Sequence, residues 1–394
     1  MMNKTERLTL VVLLGGVAAI GPFSIDMYLP GFPAIAKSFS VEAADVSYTL
    51  TGYFIGISIG QLIYGPLIDR YGRKKPLLLG LLLYALASLA CALSPNLWSL
   101  VGSRFVQALG ASVGMVASMA IIRDQFPVAE VARMLSSILL VMGVAPVIAP
   151  TLGSFLLTHF SWEAIFVFLS LVAVVLLGNL FFFLKETQGA NTAIELRLKP
   201  IFSNYVRTLQ QPAFTFFSLS GSIAMSILFA YIASISFVLM SLYGVDKSTF
   251  GLLFGLNAFG FILGSQVNNL LLKRWHLYRL TRLMSFLQVL VSVLFLLSVC
   301  SLELSLWAMS AFTFSILFLL GFINPNATAL SLEKIKTHIG VASALNGSMR
   351  MALGALVSFL VGSLADGTVF PFVASIFVLS VLSFVLLLIG KKYN

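Results

Sequence analysis

Charge is scarce in this chain. Only 10% of its 394 residues are Asp, Glu, Lys or Arg, against about 25% in an ordinary soluble domain. So few charged side chains cannot cover a water-facing surface, which excludes a soluble enzyme. With 59% apolar residues, a disordered chain is excluded as well. Cysteine is nearly absent. Cys91 and Cys300 stand alone in apolar runs, so there is no disulfide framework and no metal-like spacing; both read as small core hydrophobes. The three histidines, His159, His276 and His338, are too far apart in sequence to argue for a metal site. There is no Gly-x-x-x-x-Gly-Lys phosphate loop and no polar stretch long enough to hold a nucleotide domain. These absences predict a protein that is not an enzyme, needs no cofactor or metal, and binds no nucleic acid.

What the chain has is apolar runs. Its mean hydropathy is +1.02. Twelve membrane-crossing helices of about 20 residues use roughly 240 positions, close to the number of apolar residues available. Segments of that kind fall at about 8–30, 45–67, 76–94, 97–121, 134–158, 162–184, 213–242, 248–272, 280–300, 304–330, 339–364 and 369–390. The N-terminal run lacks a small-residue cleavage site and leads straight into Asp26, so it reads as a retained first helix rather than a signal peptide.

The net charge of +10 is distributed asymmetrically. Twenty of the 24 Lys and Arg residues fall in alternate connections on one side, and only Lys37 and Lys247 fall on the other. That bias predicts both termini in the cytoplasm. The longest connection, residues 185–212, is polar and separates an N-terminal six-helix half, 1–184, from a C-terminal six-helix half, 213–394. Gly56-xxx-Gly60 before Arg70 recurs as Gly260-xxx-Gly264 before Arg274, at the same offset of 204 residues. Matched halves are the usual build of a secondary transporter.

Three charges lie inside spans. Asp26 follows Pro22 in the first span, Arg104 lies in the fourth, and Arg350 lies near the middle of the eleventh. A buried charge costs a few kcal/mol or more at mid-bilayer, so by default it faces a cavity and has a function. A carboxyl in that setting suits a proton carrier. The structural alternatives are a carboxylate near the outer interface and arginines bonded to carbonyls at helix breaks. Gln107 shares a helical face with Arg104, as Asn346 does with Arg350. Two arginines against one carboxylate predict a net-positive cavity, which tolerates neutral or acidic compounds and repels lipophilic cations.

At these residues the sequence resembles the major facilitator superfamily, and within it the bicyclomycin/chloramphenicol-resistance family of drug:proton antiporters. Ser24-Ile25-Asp26-Met27-Tyr28-Leu29-Pro30-Gly31-Phe32-Pro33 resembles that family's first helix. Gly65-Pro66-Leu67-Ile68-Asp69-Arg70-Tyr71-Gly72-Arg73-Lys74-Lys75 is similar to the superfamily's loop between helices 2 and 3. Arg104-xx-Gln107-xx-Gly110 resembles its helix 4 pattern, whose arginine is tied to proton coupling. Gly143-xx-Pro146-xxx-Pro150-xx-Gly153 resembles the helix 5 antiporter motif, and Asn324-Pro325-Asn326 also fits the family. There are two departures. Ser236 stands where the family usually has proline in helix 7, and Ala18 stands where better-studied multidrug relatives carry a second carboxylate.

The resemblance implies an all-α, twelve-helix major facilitator fold in a bacterial cytoplasmic membrane. It further implies proton-coupled antiport of small organic compounds by alternating access, with protons as the coupling ion. Asp26 and Arg104 would carry the coupling. Tyr53, Gln107, Tyr231, Asn346 and Arg350 are expected to line the substrate cavity. Gly65, Asp69, Arg70, Gly72, Arg73 and Arg123 would form the cytoplasmic gate, with Asp69 paired to cations such as Arg123 and the start of helix 11. The expected partners are a small-molecule substrate and the lipid bilayer, and the protein is expected to act as a monomer. A dedicated metabolite or siderophore exporter on the same fold stays open. A non-transporting receptor fits less well, because the loops are short.

Overall fold

The computed structural model describes residues 4–126, 128–189, 198–301, 304–335 and 339–393, all helix or connection without a strand among them. The long helices are α1 (Lys4–Asp26), α2 (Tyr48–Tyr71), α3 (Lys74–Ala92), α4 (Leu97–Gln125), α5 (Val128–His159) and α6 (Glu163–Phe183). They continue with α7 (Pro212–Ser236), α8 (Lys247–Leu271), α9 (Leu277–Ser301), α10 (Leu306–Leu332), α11 (Ile339–Ser363) and α12 (Phe370–Gly390). Among the described residues, eleven helical segments are long and apolar enough to cross a membrane. The 32-residue α5 is one more long helix. Only helices that satisfy their own backbone hydrogen bonds are at home in lipid, and a chain this poor in charge has few other options.

Two short helices interrupt this scheme. After Asp26 the chain makes a tight turn at Leu29–Gly31 and a helix over Phe32–Phe39, so the first span breaks at the carboxylate instead of running to residue 30. The polar connection 185–212 contains a further helix, Leu198–Leu209. Its Tyr205 packs against Phe214, Ile335, Ala342 and Leu345.

Contacts divide the chain into two compact units, residues 1–40 with 52–197, and residues 41–51 with 198–394. The repeated glycines serve the same packing purpose in each. A Cβ on Gly56 would overlap the Phe105 carbonyl, and one on Gly264 would overlap the Phe318 carbonyl, so α2 against α4 and α8 against α10 both require bare backbone.

Helix starts are capped from sequence. Asn96 and Ser99 form a capping box on α4. Asp246 caps α8, accepting from Thr249 Oγ1 at 2.6 Å and from the Ser248 and Thr249 amides at 2.9 and 3.2 Å. The Thr249 hydroxyl foremost, together with these amides, holds the Asp246 carboxyl below the ordinary aspartate range. A lowered folded-state pKa stabilises above the unfolded value and is lost as pH falls through the lowered one. Asp246→Ala is therefore expected to lower the thermal midpoint of detergent-purified protein at pH 7. The gap should close below about pH 4. A gap independent of pH would show that the cap does not act through its charge.

Candidate functional site

In the first unit, Asp26 is the last residue of α1, one turn beyond Pro22. It is 4% exposed, and its carboxyl makes no hydrogen bond or ion pair among the described residues. The groups around the end of α1 are hydroxyls. Ser24 Oγ donates to the Ile20 carbonyl at 2.7 Å and lies 2.5 Å from Tyr84 Oη. Tyr53 Oη donates to the Gly21 carbonyl at 3.3 Å.

Arg104, on α4, is completely buried. Its Nη1 donates to Gln107 Oε1 at 2.6 Å, and Gln107 Nε2 donates to Ser88 Oγ at 2.7 Å. Ser88 Oγ in turn donates to the Tyr84 carbonyl at 2.7 Å, which ties α4 to α3. The guanidinium carbon lies 4.2, 4.9 and 5.7 Å from the ring centres of Tyr53, Tyr28 and Phe166. Each such ring contributes about 0.5–2 kcal/mol to holding a desolvated cation. No ion pair joins Arg104 to Asp26 among the described residues, and Arg104 Nε and Nη2 have no hydrogen-bond partner there. The arginine is balanced by π-faces, and the carboxyl has no counter-ion among the described residues. Tyr53 and Gln107 are both fully buried beside Arg104, the ring of the first under its guanidinium and the amide of the second bonded to it.

The turn between α2 and α3 forms a second cluster. Arg73, whose side chain is 9% exposed, donates from Nη1 to Asp69 Oδ1 at 2.6 Å and from Nε to Asp124 Oδ2 at 2.9 Å. Burial alone would weaken its hold on a proton, but the bonds to Asp124 and Asp69 outweigh that and raise it above the ordinary arginine range. Thr187 Oγ1 donates to Asp124 at 3.1 Å. Glu186 accepts from the amides of Arg73 at 2.8 Å and Lys74 at 3.2 Å, capping α3 from the segment that follows α6. Gly72 sits between them at φ +85°.

The expected pairing of Asp69 with Arg123 is corrected here. Asp69 bonds Arg73, Arg123 is exposed, and the α4 residue that faces the cluster is Asp124. Successive helical residues differ by about 100° in direction, so these two neighbours face different surroundings. Arg70 lies over the Tyr71 ring at 5.5 Å. Gly65 has open space where a side chain would go.

On α5, Pro150 is buried, and a Cβ on Gly153 would overlap the Met27 carbonyl just past Asp26. The surroundings of Gly143 and Pro146 lie outside the described residues.

In the second unit, Tyr231 Oη accepts from Asn257 Nδ2 at 3.1 Å, and Asn257 Oδ1 accepts from Thr313 Oγ1 at 3.4 Å. Asn268 and Asn326 exchange two amide bonds of 2.9 Å across α8 and α10. Asn346 Nδ2 donates to Ser331 Oγ at 3.0 Å, and Arg350 donates to Thr328 Oγ1. Beyond Ser236, α7 widens into longer-range bonds, with Tyr243 N donating to the Val238 carbonyl at 3.1 Å and Val245 N to the Leu239 carbonyl at 2.9 Å. Such a wide turn is one of the few identifiable causes of helix bending, as proline is.

Sequence reasoning missed Tyr84, Ser88, Phe166, Asp124, Thr187 and Glu186. Only Glu186 offered a signal, as an acid placed immediately after a span.

The family model described as Major Facilitator Superfamily matches residues 14–359. An uncharacterized transporter of that kind from Bacillus subtilis (strain 168), YdgK, is 37% identical over 96% of this chain and 94% of its own. A bicyclomycin resistance protein homolog from Haemophilus influenzae is 33% identical over 94% of this chain and 93% of its own. Among solved structures, a bacterial homolog of the human lysosomal transporter Spinster, inward-facing and occupied, superposes with a TM-score of 0.77. It covers 100% of this chain and 98% of its own at 14% identity, a likeness of fold.

Proposed function

The chain belongs to the major facilitator superfamily of membrane transporters, in its bicyclomycin- and chloramphenicol-resistance family, and on that premise we propose that it exports small organic compounds across a bacterial cytoplasmic membrane in exchange for protons. The observation that carries the proton half of this reading is Asp26, a buried carboxyl without a counter-ion. It can gain or lose a proton without breaking an ion pair. In the proposed cycle of alternating access, Asp26 loads a proton from outside, and substrate entering from the cytoplasm favours its release. Arg104 acts on that exchange through Tyr53, whose ring lies by the guanidinium and whose hydroxyl bonds the Gly21 carbonyl of α1. The Gly65–Arg73 turn belongs to the cytoplasmic gate, both termini are cytoplasmic, and the protein works as a monomer. Drug export is supported by the bicyclomycin resistance protein homolog. The excess of buried arginine over carboxylate favours neutral and acidic compounds over lipophilic cations.

The test is proton flux in proteoliposomes on addition of chloramphenicol, a sulfonamide or ethidium. Flux with the first two and none with ethidium is expected. Flux with ethidium alone would overturn the charge argument. Silence with all three from folded protein, beside a metabolite that accumulates in a deletion strain, would replace drug export by a dedicated metabolite exporter.

A further inference from the structure

Among the described residues of the second unit, no acid lies within a long helix: from residue 198 onward the described acids are Asp246, Glu333 and Asp366. Glu333, one position past α10, is exposed, and no ion pair reaches Arg350 among the described residues. Yet its Nε is buried without a hydrogen-bond partner, as are Asn346 Oδ1 one turn earlier on α11 and Asn324 Oδ1 on α10.

These groups form a strip. Asn324, Thr328 and Ser331 follow one another at helical spacing on α10, and Asn346 and Arg350 do so on α11. Thr328 Oγ1 donates to the Asn324 carbonyl at 2.8 Å and Ser331 Oγ to the Thr328 carbonyl at 2.8 Å, so each hydroxyl has only acceptor capacity left. The bonds from Arg350 and Asn346 use it. One arm of the guanidinium is thereby fixed in direction, and its Nε edge is left unsatisfied. Arg104 is different, since it is fully buried against three rings.

We infer that the α10–α11 strip is a subsite for a compact anionic group of the exported compound, a carboxylate or its like. Arg350 meets the charge there, and the carbonyls of Asn346 and Asn324 accept from N–H or O–H groups beside it. This rests on the export reading above and assigns its acid selectivity to the second unit. A charged partner roughly doubles the strength of such hydrogen bonds, and a forked guanidinium matches a carboxylate in a way an ammonium does not.

The probes are nalidixate, its uncharged carboxamide and chloramphenicol, measured by equilibrium dialysis with the full detergent-purified chain. Wild type should bind nalidixate at least about tenfold more tightly than the carboxamide. Arg350→Gln should weaken nalidixate far more than the carboxamide and so remove most of that difference, and Arg350→Lys should keep part of it. Asn346→Asp, which places a carboxylate one turn from Arg350, should remove the difference as well, a second route should the glutamine variant not fold. Equal binding of acid and carboxamide by wild type, or a preference that survives both changes, overturns the subsite and leaves drug export standing. Failure of wild type to bind any of the three, with no proton flux, overturns both.

Discussion

Asp26→Asn is expected to reduce substrate-driven proton flux to the level of empty vesicles, while exchange of labelled for unlabelled substrate continues. Asparagine copies the shape and neutrality of a protonated carboxyl but cannot release a proton. Because Asp26 has no ion-pair partner among the described residues, the substitution strands no opposite charge and leaves the Arg104 cage intact. The variant should fold normally, which separates coupling from stability. Undiminished flux would place the proton site elsewhere. Loss of labelled exchange as well would show that Asp26 contacts substrate or holds the end of α1 in place.

Gly72→Ala should be the most damaging small substitution in the turn between α2 and α3. At φ +85° a Cβ costs about 1–2 kcal/mol in backbone strain alone. That Cβ would also stand 2.6 Å from Glu186 Oε2 and 2.9 Å from the Gln188 carbonyl. Glu186 would have to leave the amides of Arg73 and Lys74, uncapping α3. A fall of several degrees in the thermal midpoint is expected, together with slower transport. Glu186→Ala should cost less by itself, since the residue is exposed. The double variant should cost less than the two singles combined, because removing Glu186 relieves the collision. Strict additivity would mean that the strain at Gly72 and the cap by Glu186 are unrelated.

Legibility in the sequence followed the range of the forces involved. Long apolar runs and their flanking cations are properties of single segments, so the spans and the helical fold could be read from sequence, as could Asp26, Arg104 and Arg350 as charges out of place. What required packing was hidden. The rings that hold Arg104 come from three separate stretches of chain, and among 34 phenylalanines nothing marks Phe166. Tyr53 and Gln107 stood out as polar residues in spans, but their contacts with Arg104 could be seen only in the packing. Arg123 was legible as a cation after a span, but the contact of Asp124 with Arg73 depends on packing and was not. The helix Leu198–Leu209 was concealed by the polar composition of its connection. Ser236 was legible as a departure, but the widened turn that follows it was not.

The two groups without counter-ions, Asp26 and Arg350, have an electrical consequence. With one proton moving inward per cycle, export of a neutral compound transfers one elementary charge down an interior-negative potential. Export of a monoanion transfers two, and export of a monocation transfers none. Each charge releases about 2.3 kcal/mol per 100 mV. In the proposed exchange, voltage alone would thus drive acids twice as hard as neutral compounds and cations not at all. The same order of preference that the fixed charges impose on binding would then be imposed again by the membrane on accumulation.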